Sequence, residues 1–175
     1  PRMLSREEAI AELVVRYFRS HGPATIQDFM WWSGLTMAEA RPGLEAVQSQ
    51  LLSETIDGKT YWWTDATPSA EAHSPALHLL PPFDEYLVSY KDRSPSLEPQ
   101  NTFVAAPERH LGSIIVIDGR VVGTWKRTFK KDAVTIVATC GRELTDEERA
   151  AFEAAARRYA EFVGMPTLHT SIDMT

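Results

Sequence analysis

The order of local folding signals in the first 65 residues constrains this chain more than any other feature. Three short segments with an apolar stripe each begin with a capping box, in which a Ser or Thr precedes an acidic residue by three positions. The boxes are Ser5 with Glu8, Thr25 with Asp28 and Thr36 with Glu39. Asp57-Gly58 then separates two β-prone runs, which is the strongest local signal for a hairpin. Three helices followed by a hairpin predict a winged helix over residues 1–65, in which the second and third helices form a helix-turn-helix.

The third of these helices is a poor candidate for reading DNA. Pro42-Gly43 interrupts its apolar stripe, and we expect this pair to kink or weaken the helix. Its surface offers Arg41 against Glu39 and Glu45, and residues 1–65 hold 6 basic and 9 acidic side chains. Because phosphate contacts need basic side chains, we interpret this winged helix as scaffold rather than as a sequence reader. Lys59 in the wing is either a single phosphate contact or a solvated turn residue.

A second domain is predicted after a linker. Residues 66–76 are small, polar and proline-bearing, which is typical of a linker. A second hairpin signal at Asp118-Gly119 and a further β-prone run predict a β-meander within residues 77–175, and Thr145 with Glu148 caps a final helix. The terminal TLHTSI is a candidate edge strand. The predicted fold class is therefore α+β, with a winged helix followed by a β-meander or barrel-like domain that has a C-terminal helix.

Composition excludes several classes of protein. The net charge of −6 and the pI near 5.4 exclude attraction to nucleic acid or anionic lipid by bulk charge, so any such binding needs a local patch. Cys140 is the single cysteine, which excludes an intramolecular disulfide, and no apolar run approaches the roughly 18 residues of a membrane span. The five histidines lack metal-ligand spacing. We therefore expect a soluble cytoplasmic protein with no membrane partner, metal or cofactor.

The highest local density of basic residues lies in the segment GRVVGTWKRTFKKD. Its basic residues are Arg120, Lys126, Arg127, Lys130 and Lys131. Strand alternation puts Trp125, Arg127 and Phe129 on one face and Lys126 and Lys130 on the other, so we expect the two aromatic rings in the core. Either the basic side chains contact phosphates, which we favour, or they are solvated residues that protect an edge strand.

The segment FDEYLVSYKDRS carries two candidates for acid–base chemistry. Asp84 and Asp92 bracket a short apolar stretch, and two carboxylates beside a cleft are suited to general acid–base catalysis. The alternative, to which we give more weight, is structural. In that reading Asp84 caps a short helix, and Asp92 forms an ion pair with Arg93 that shapes the loop.

Three stretches resemble a known family when they are taken together in this order: GPATIQDFMWWSGLTMAEAR, LHLLPPFDEYLVSYKDRS and IIVIDGRVVGTWKR. They resemble the AlkZ-like DNA glycosylases, a large bacterial group of winged-helix DNA-binding-domain proteins. The resemblance covers nearly the whole chain and implies tandem winged helices before a β-barrel-like region. It also implies hydrolysis of the N-glycosidic bond of alkylated or crosslinked bases. An N7-alkylated purine already carries a positive charge, so such an enzyme mainly positions a water and stabilises an oxocarbenium-like sugar.

The same resemblance implies which part of the enzyme is absent. The family's catalytic Gln-apolar-Gln motif belongs to the first winged helix, whereas this chain resembles the later portion. Gln48-Ser49-Gln50 has the spacing, but it lies on the third helix of the later domain and has a polar middle residue, so the catalytic role is not transferred to it. We expect this chain alone to be inactive, and membership supports DNA binding more firmly than glycosylase chemistry.

Two hypotheses follow for the function. The first is the C-terminal part of an AlkZ-like repair glycosylase that binds double-stranded DNA through the basic hairpin and the loop from Lys91 to Arg93. The second is a non-catalytic winged-helix regulator or an interaction module, which the acidic third helix favours. Pro1 at the first position fits either a piece of a longer protein or a processed N-terminus. The lesion and the oligomeric state stay open.

Overall fold

A computed structural model of the chain describes residues 3–65, 75–98 and 112–174. These residues divide into two compact units. Residues 3–65 together with Val88–Asp92 belong to the first unit, and residues 75–87, 93–98 and 112–174 belong to the second. Most of the predicted linker, residues 66–74, lies outside the described residues. None of the described helices is long and apolar enough to cross a bilayer.

The first unit has three helices and a small sheet. Its elements are α1 (Arg6–His21), β1 (Ala24–Thr25), α2 (Ile26–Ser33), α3 (Met37–Val47), a 3₁₀ turn (Gln48–Gln50), β2 (Leu52–Ile56) and β3 (Lys59–Trp63). All three predicted capping boxes form, and α2 ends at Gly34 in the left-handed conformation. The predicted hairpin joins β2 to β3, with positive φ at Asp57 and Gly58. Pairing of β1 with β3 completes an antiparallel sheet of order β1-β3-β2.

The core of the first unit lies between its three helices. Its fully buried side chains include Val14, Tyr17, Phe18, Phe29 and Ala40. Helix α3 continues through Pro42 to Val47, so the Pro-Gly pair does not end it. Gly43 has a packing role, because a Cβ built on it would lie 2.5 Å from Cγ2 of Ile10 on α1. The glycine therefore permits the close approach of α1 and α3.

The second unit is built on a five-stranded sheet. Its elements are β4 (Leu77–Leu80), α4 (Glu85–Val88, whose last residue belongs to the first unit), a 3₁₀ turn (Ser94–Ser96), β5 (Ile114–Ile117), β6 (Arg120–Lys130), β7 (Ala133–Cys140), α5 (Asp146–Phe162) and β8 (Thr167–Met174). The strand order is β4-β5-β6-β7-β8; β5 to β7 form the predicted antiparallel meander, and β4 pairs antiparallel with β5. The predicted edge strand is confirmed as β8, which pairs in parallel with β7.

Apolar side chains cover the two faces of this sheet unequally. Helix α5 packs along one face, where Trp125, Ile136 and Ala138 meet Phe152 and Ala156. On the other face a smaller cluster covers only the part near β4 and β5. That cluster contains Leu87, Leu97, Ile114, Val116 and Val121. The second half of β6 and the whole of β7 and β8 are therefore covered by helix on one side only.

Candidate nucleic-acid interface

Four of the predicted DNA-contacting residues lie on one hairpin. Lys126, Arg127 and Lys130 belong to β6, Lys131 follows directly in the turn to β7, and all four are exposed. Lys131 adopts a φ of 43°, in the left-handed region that few non-glycine residues occupy. The hairpin thus concentrates positive charge in a chain whose net charge is −6.

Strand alternation divides these residues between the two faces of the sheet, as the sequence predicts. The guanidinium carbon of Arg127 lies 5.6 Å from the ring centroids of both Trp125 and Tyr159, within cation–π range. Arg127 is therefore held on the side of helix α5. Lys126 and Lys130 alternate with it and lie on the opposite side.

The expected burial of the second aromatic residue is wrong. Trp125 is 3% exposed, as predicted, but Phe129 is 48% exposed. The register between β5 and β6 ends at Ile114 and Thr124. The Trp125 N–H still bonds the Ser113 carbonyl at 3.2 Å; beyond it, within the described ranges, β6 pairs with β7 alone and forms a free margin of the sheet. Alternation fixes the face of a side chain, but it does not tell whether that stretch of strand is covered.

Two predicted contacts lie away from this turn and have structural partners. Arg120 begins β6, ten residues before Lys130, which corresponds to about 33 Å of extended strand. Its Nη1 donates a hydrogen bond to the Leu97 carbonyl at 3.2 Å. Arg93 donates from Nε to the Leu87 carbonyl at 2.9 Å. These guanidinium groups fix loops of the second unit, and the structure does not bring them to the hairpin turn.

Lys91 lies in a short chain segment, Val88–Asp92, that packs with the first unit. The Asp28 carboxylate is 4% exposed, and its Oδ1 accepts hydrogen bonds from the backbone N–H of Lys91 at 2.9 Å and of Asp92 at 3.2 Å. Its Oδ2 accepts from the backbone N–H and the hydroxyl of Thr25, at 2.9 and 2.7 Å. The backbone of Lys91 is thereby fixed, while its side chain stays exposed.

Aromatic side chains of the first unit hold the same segment. The Tyr17 hydroxyl donates to the Ser89 carbonyl at 3.0 Å, and Trp31 Nε1 donates to the Val88 carbonyl at 3.0 Å. The Tyr90 hydroxyl donates to the His21 carbonyl at 2.8 Å. Sequence reasoning treated Asp28 only as a local cap and missed this docking, because the burial of its carboxylate, which requires polar partners, is visible only in the structure.

The two candidate acid–base residues have structural partners. Asp84 accepts a hydrogen bond from the backbone N–H of Tyr86 at 2.9 Å, as a cap of α4 does. Asp92 pairs with Lys59 of the β2–β3 hairpin at 2.6 Å, and this hydrogen bond raises the pKa of Lys59. Asp84 belongs to the second unit and Asp92 to the first. Each contact accounts for its carboxylate without a catalytic role.

Gln48 and Gln50, whose spacing mimics the family's catalytic motif, lie in the exposed 3₁₀ turn after α3. Neither side chain is buried, and no described residue forms a hydrogen bond with either amide. A water-positioning pair needs a fixed orientation toward the reacting sugar. The exposed position of these two residues therefore gives no reason to transfer the catalytic role to them.

A charged cluster in the second unit shifts the pKa values of Arg142 and Glu148. Arg142 forms a bidentate pair with Glu148, at 2.6 and 2.7 Å, and also bonds Glu98. The hydrogen bond with Arg142 lowers the pKa of Glu148, and the same contact raises the pKa of Arg142. Glu148 additionally accepts from the backbone N–H of Thr145 and completes the cap of α5. The cluster anchors a helix and has no free acid or base.

Metal-binding chemistry finds no support in the part of the chain that the structure describes. No group of three His, Cys, Asp or Glu side chains there is arranged to hold an ion. Cys140 is buried beneath α5, and this burial raises the pKa of its thiol. A thiol of that kind is a weak nucleophile and a weak ligand at neutral pH.

Comparison with known proteins agrees with the resemblance noted in the sequence. Residues 1–162 match the profile of the family described as "DNA glycosylase AlkZ-like". An interstrand DNA cross-link repair glycosylase of Streptomyces sahachiroi is 27% identical over 143 residues, which cover 77% of this chain and 38% of that protein. The solved structure of the S. sahachiroi DNA glycosylase AlkZ is similar with a TM-score of 0.71 at 23% identity, over 98% of this chain and 47% of that one.

The chain thus spans less than half the length of the relatives that it matches. The match to the family profile nevertheless extends over both compact units, from the first helix to the end of α5. The likeness in structure extends over nearly all of this chain and shows a common fold. This protein therefore belongs to the AlkZ-like DNA glycosylase family.

Proposed function

We propose that this chain is the DNA-binding C-terminal part of an AlkZ-like DNA repair glycosylase that acts on alkylated or crosslinked bases. Family membership supports the repair chemistry, and the curated relative is described as an interstrand DNA cross-link repair glycosylase. The part of that relative outside the match would carry the catalytic glutamine pair. This chain would then supply contacts to the duplex.

The first unit is proposed to be a winged helix of this enzyme. Three helices, with a short strand after the first and a hairpin after the third, support that assignment, as does the sheet order β1-β3-β2. Its α3 helix carries Arg41 against Glu39 and Glu45, and Glu39 forms an ion pair with Arg6. A surface of that charge suits a scaffold better than a base-reading helix.

The observation that carries the proposal is the exposed positive charge of the β6–β7 hairpin. Lys126, Lys130 and Lys131 lie within six residues of one another, and all are exposed. None of them forms an ion pair with an acidic side chain among the described residues. Lys91 adds a charge whose backbone is fixed by Asp28. Unpaired, positioned cations of this kind bind phosphates and give the affinity a steep salt dependence.

The first experiment measures the release of N7-alkylguanine from duplex DNA. This chain and the longest open reading frame that contains it are assayed in parallel. Release by the longer protein alone supports the proposal. If the present chain releases the base without the rest of the protein, the assignment of the catalytic residues to another part of the enzyme is contradicted. Gln48, Gln50, Asp84 and Asp92 would then be substituted in turn.

A second experiment tests the DNA contacts themselves. The variant Lys126→Glu/Lys130→Glu should lose most of its affinity for duplex DNA, and the slope of log K against log salt should fall by about 2. The control is Arg157→Glu, which reverses a charge on the exposed face of α5. Equal affinity and slope in the wild type and the double variant would remove the hairpin from the proposal.

The acidity of α3 and the absent catalytic motif favour one alternative, a non-catalytic winged-helix regulator or interaction module. A regulator should prefer one operator sequence over random DNA by a large factor, whereas a repair protein should prefer damaged over intact DNA of the same sequence. An interaction module should bind neither. Competition experiments with the three kinds of duplex separate these possibilities.

A further inference from the structure

The pairing register brings side chains of three strands onto one face of the second sheet. Directly paired residues share a face, and the pairs include Lys126 with Val137, Thr128 with Thr135, and Thr135 with His169. We call this surface the open face. Its members are Lys126, Thr128 and Lys130 on β6, Thr135, Val137 and Thr139 on β7, and His169, Ser171 and Asp173 on β8.

No member of the open face is buried. Helix α5 packs against the opposite face, through neighbours such as Trp125, Ile136 and Ile172. The smaller apolar cluster beside α4 ends with Ile114 and Val121 and includes none of the nine side chains. Nothing in the described ranges of the second unit therefore covers this part of the sheet. A sheet face without an apolar layer and without a cover is unusual unless it faces solvent or a polar partner.

The open face is rich in hydrogen-bond donors that have no acceptor. Three threonine hydroxyls, the Ser171 hydroxyl and the His169 ring lie among two lysines, and none of these groups forms a hydrogen bond with another described side chain or carbonyl. The one carboxylate, Asp173, lies at the end of the face away from Lys130, because it pairs with Thr139. The charge and the donors are therefore complementary to an anionic acceptor.

The residue types also tell which anion fits. Lys ammonium groups and Ser or Thr hydroxyls are common partners of DNA phosphates. The face contains no Trp, Tyr or Phe, and the small imidazole of His169 is its one ring, so it offers little surface for stacking unpaired bases. Lys126 and Lys130 lie four residues apart, about 13 Å along the strand, and a duplex presents roughly eight phosphate charges over that length. A surface with these groups matches the backbone of double-stranded DNA.

We propose that the phosphate backbone of the duplex lies across the open face of β6, β7 and β8, and that His169 and Ser171 are contacts alongside Lys126 and Lys130. This proposal rests on the proposed function and deepens it. It gives the hairpin a binding side and a non-binding side. Arg127 belongs to the non-binding side, where Trp125 and Tyr159 hold it against α5.

Adjacent residues of β6 provide a matched test. Lys126→Gln and Arg127→Gln each remove one positive charge from the same strand, one residue apart and on opposite faces. Duplex affinity is measured by fluorescence anisotropy at several salt concentrations. We expect Lys126→Gln to weaken binding severalfold and to lower the salt slope by about 1, with Arg127→Gln within twofold of the wild type. Because Arg127 packs on two rings, Arg157→Gln serves as a second neutral control, and thermal melting checks the fold of every variant.

A second pair tests the contribution of β8. Ser171→Glu places a negative charge on the open face, whereas Ala154→Glu places one on the exposed surface of α5, where it lies four residues before Arg158. The first should weaken duplex binding at least fivefold, and the second should not. Thermal melting again confirms that both variants fold.

The outcomes separate this proposal from the proposed function. A wild-type chain that binds no duplex overturns both. Duplex binding that falls in Arg127→Gln and Ala154→Glu, but survives in Lys126→Gln and Ser171→Glu, overturns the open face alone and moves the duplex to the α5 side. Binding that none of the four substitutions changes overturns the open face as well, because it removes the duplex from both sides of the hairpin.

Discussion

The buried carboxylate of Asp28 accepts a hydrogen bond at 2.9 Å from the backbone N–H of Lys91, a residue 63 positions later in the chain. The same side chain caps α2 through Thr25. One residue therefore joins a local capping box to a long-range contact. The segment Val88–Asp92 is placed by this contact, and with it the side chain that we propose as a phosphate contact on the first unit.

Replacement of Asp28 by Asn should destabilise the first unit by about 2 kcal/mol. The amide NH₂ would face a backbone or hydroxyl donor where a carboxylate oxygen now accepts, and an unsatisfied buried donor costs roughly 1–3 kcal/mol. Urea denaturation followed by tryptophan fluorescence measures the change. Glu45→Gln, which neutralises an exposed acid on α3, should stay within about 0.5 kcal/mol of the wild type. If Asp28→Asn leaves the free energy of unfolding unchanged, the docking of Lys91 contributes no stability.

The Arg142–Glu148 pair should make the stability of the second unit depend on acid pH. Since the folded pKa of Glu148 lies below its ordinary value of 4.5, the pair stabilises the fold above that pH and loses its contribution as the pH falls through the lowered folded value. Glu148→Gln should cost roughly 1–2 kcal/mol at pH 7 and progressively less below pH 4.5. Thermal melts between pH 3 and 7 measure it. The matched variant Glu147→Gln, one residue earlier and exposed, should show no such pH dependence. A destabilisation by Glu148→Gln that stays constant between pH 3 and 7 would contradict the stabilising role of the Arg142–Glu148 pair.

Replacement of Gly43 by Ala should destabilise the first unit although alanine favours helices. The new methyl group would lie 2.5 Å from Cγ2 of Ile10, and overpacking of this kind costs typically 1–3 kcal/mol. The double variant Ile10→Ala/Gly43→Ala opens space for the methyl group. In a double-mutant cycle, its loss of unfolding free energy should be smaller than the sum of the two single losses by about 1 kcal/mol or more. Additive effects would mean that α1 and α3 move apart freely.

Replacement of Lys131 by Asn should remove the charge of this residue while its backbone conformation is kept. Asn tolerates the positive φ of 43° at this turn, so the free energy of unfolding should not fall. The loss of one phosphate contact should lower the salt slope of duplex binding by about 1. Lys131→Gly serves as a control, because it removes the same charge and is at least as compatible with the turn. An unchanged slope in both variants would show that Lys131 makes no phosphate contact.

Much of the fold could be predicted because its signals act over three or four residues. The boxes at Ser5, Thr25 and Thr36 formed because a side-chain oxygen and a backbone N–H three positions apart meet in any helix start. The Asp-Gly turns formed because these residues accept positive φ. The face of each side chain on β6 followed from strand alternation. Burial did not follow, since Phe129 lies where β5 no longer pairs with β6.

The sequence by itself determined the helices, the hairpins, the meander and the family resemblance, because each depends on neighbouring residues or on a recognisable order of motifs. Only the tertiary structure decided that Val88–Asp92 packs on Asp28, that Asp92 pairs with Lys59, and that β8 joins β7 in parallel. The physical reason is that each of these contacts joins groups tens of residues apart. Their choice among many possible partners is made by the packing of whole elements, which no local pattern encodes.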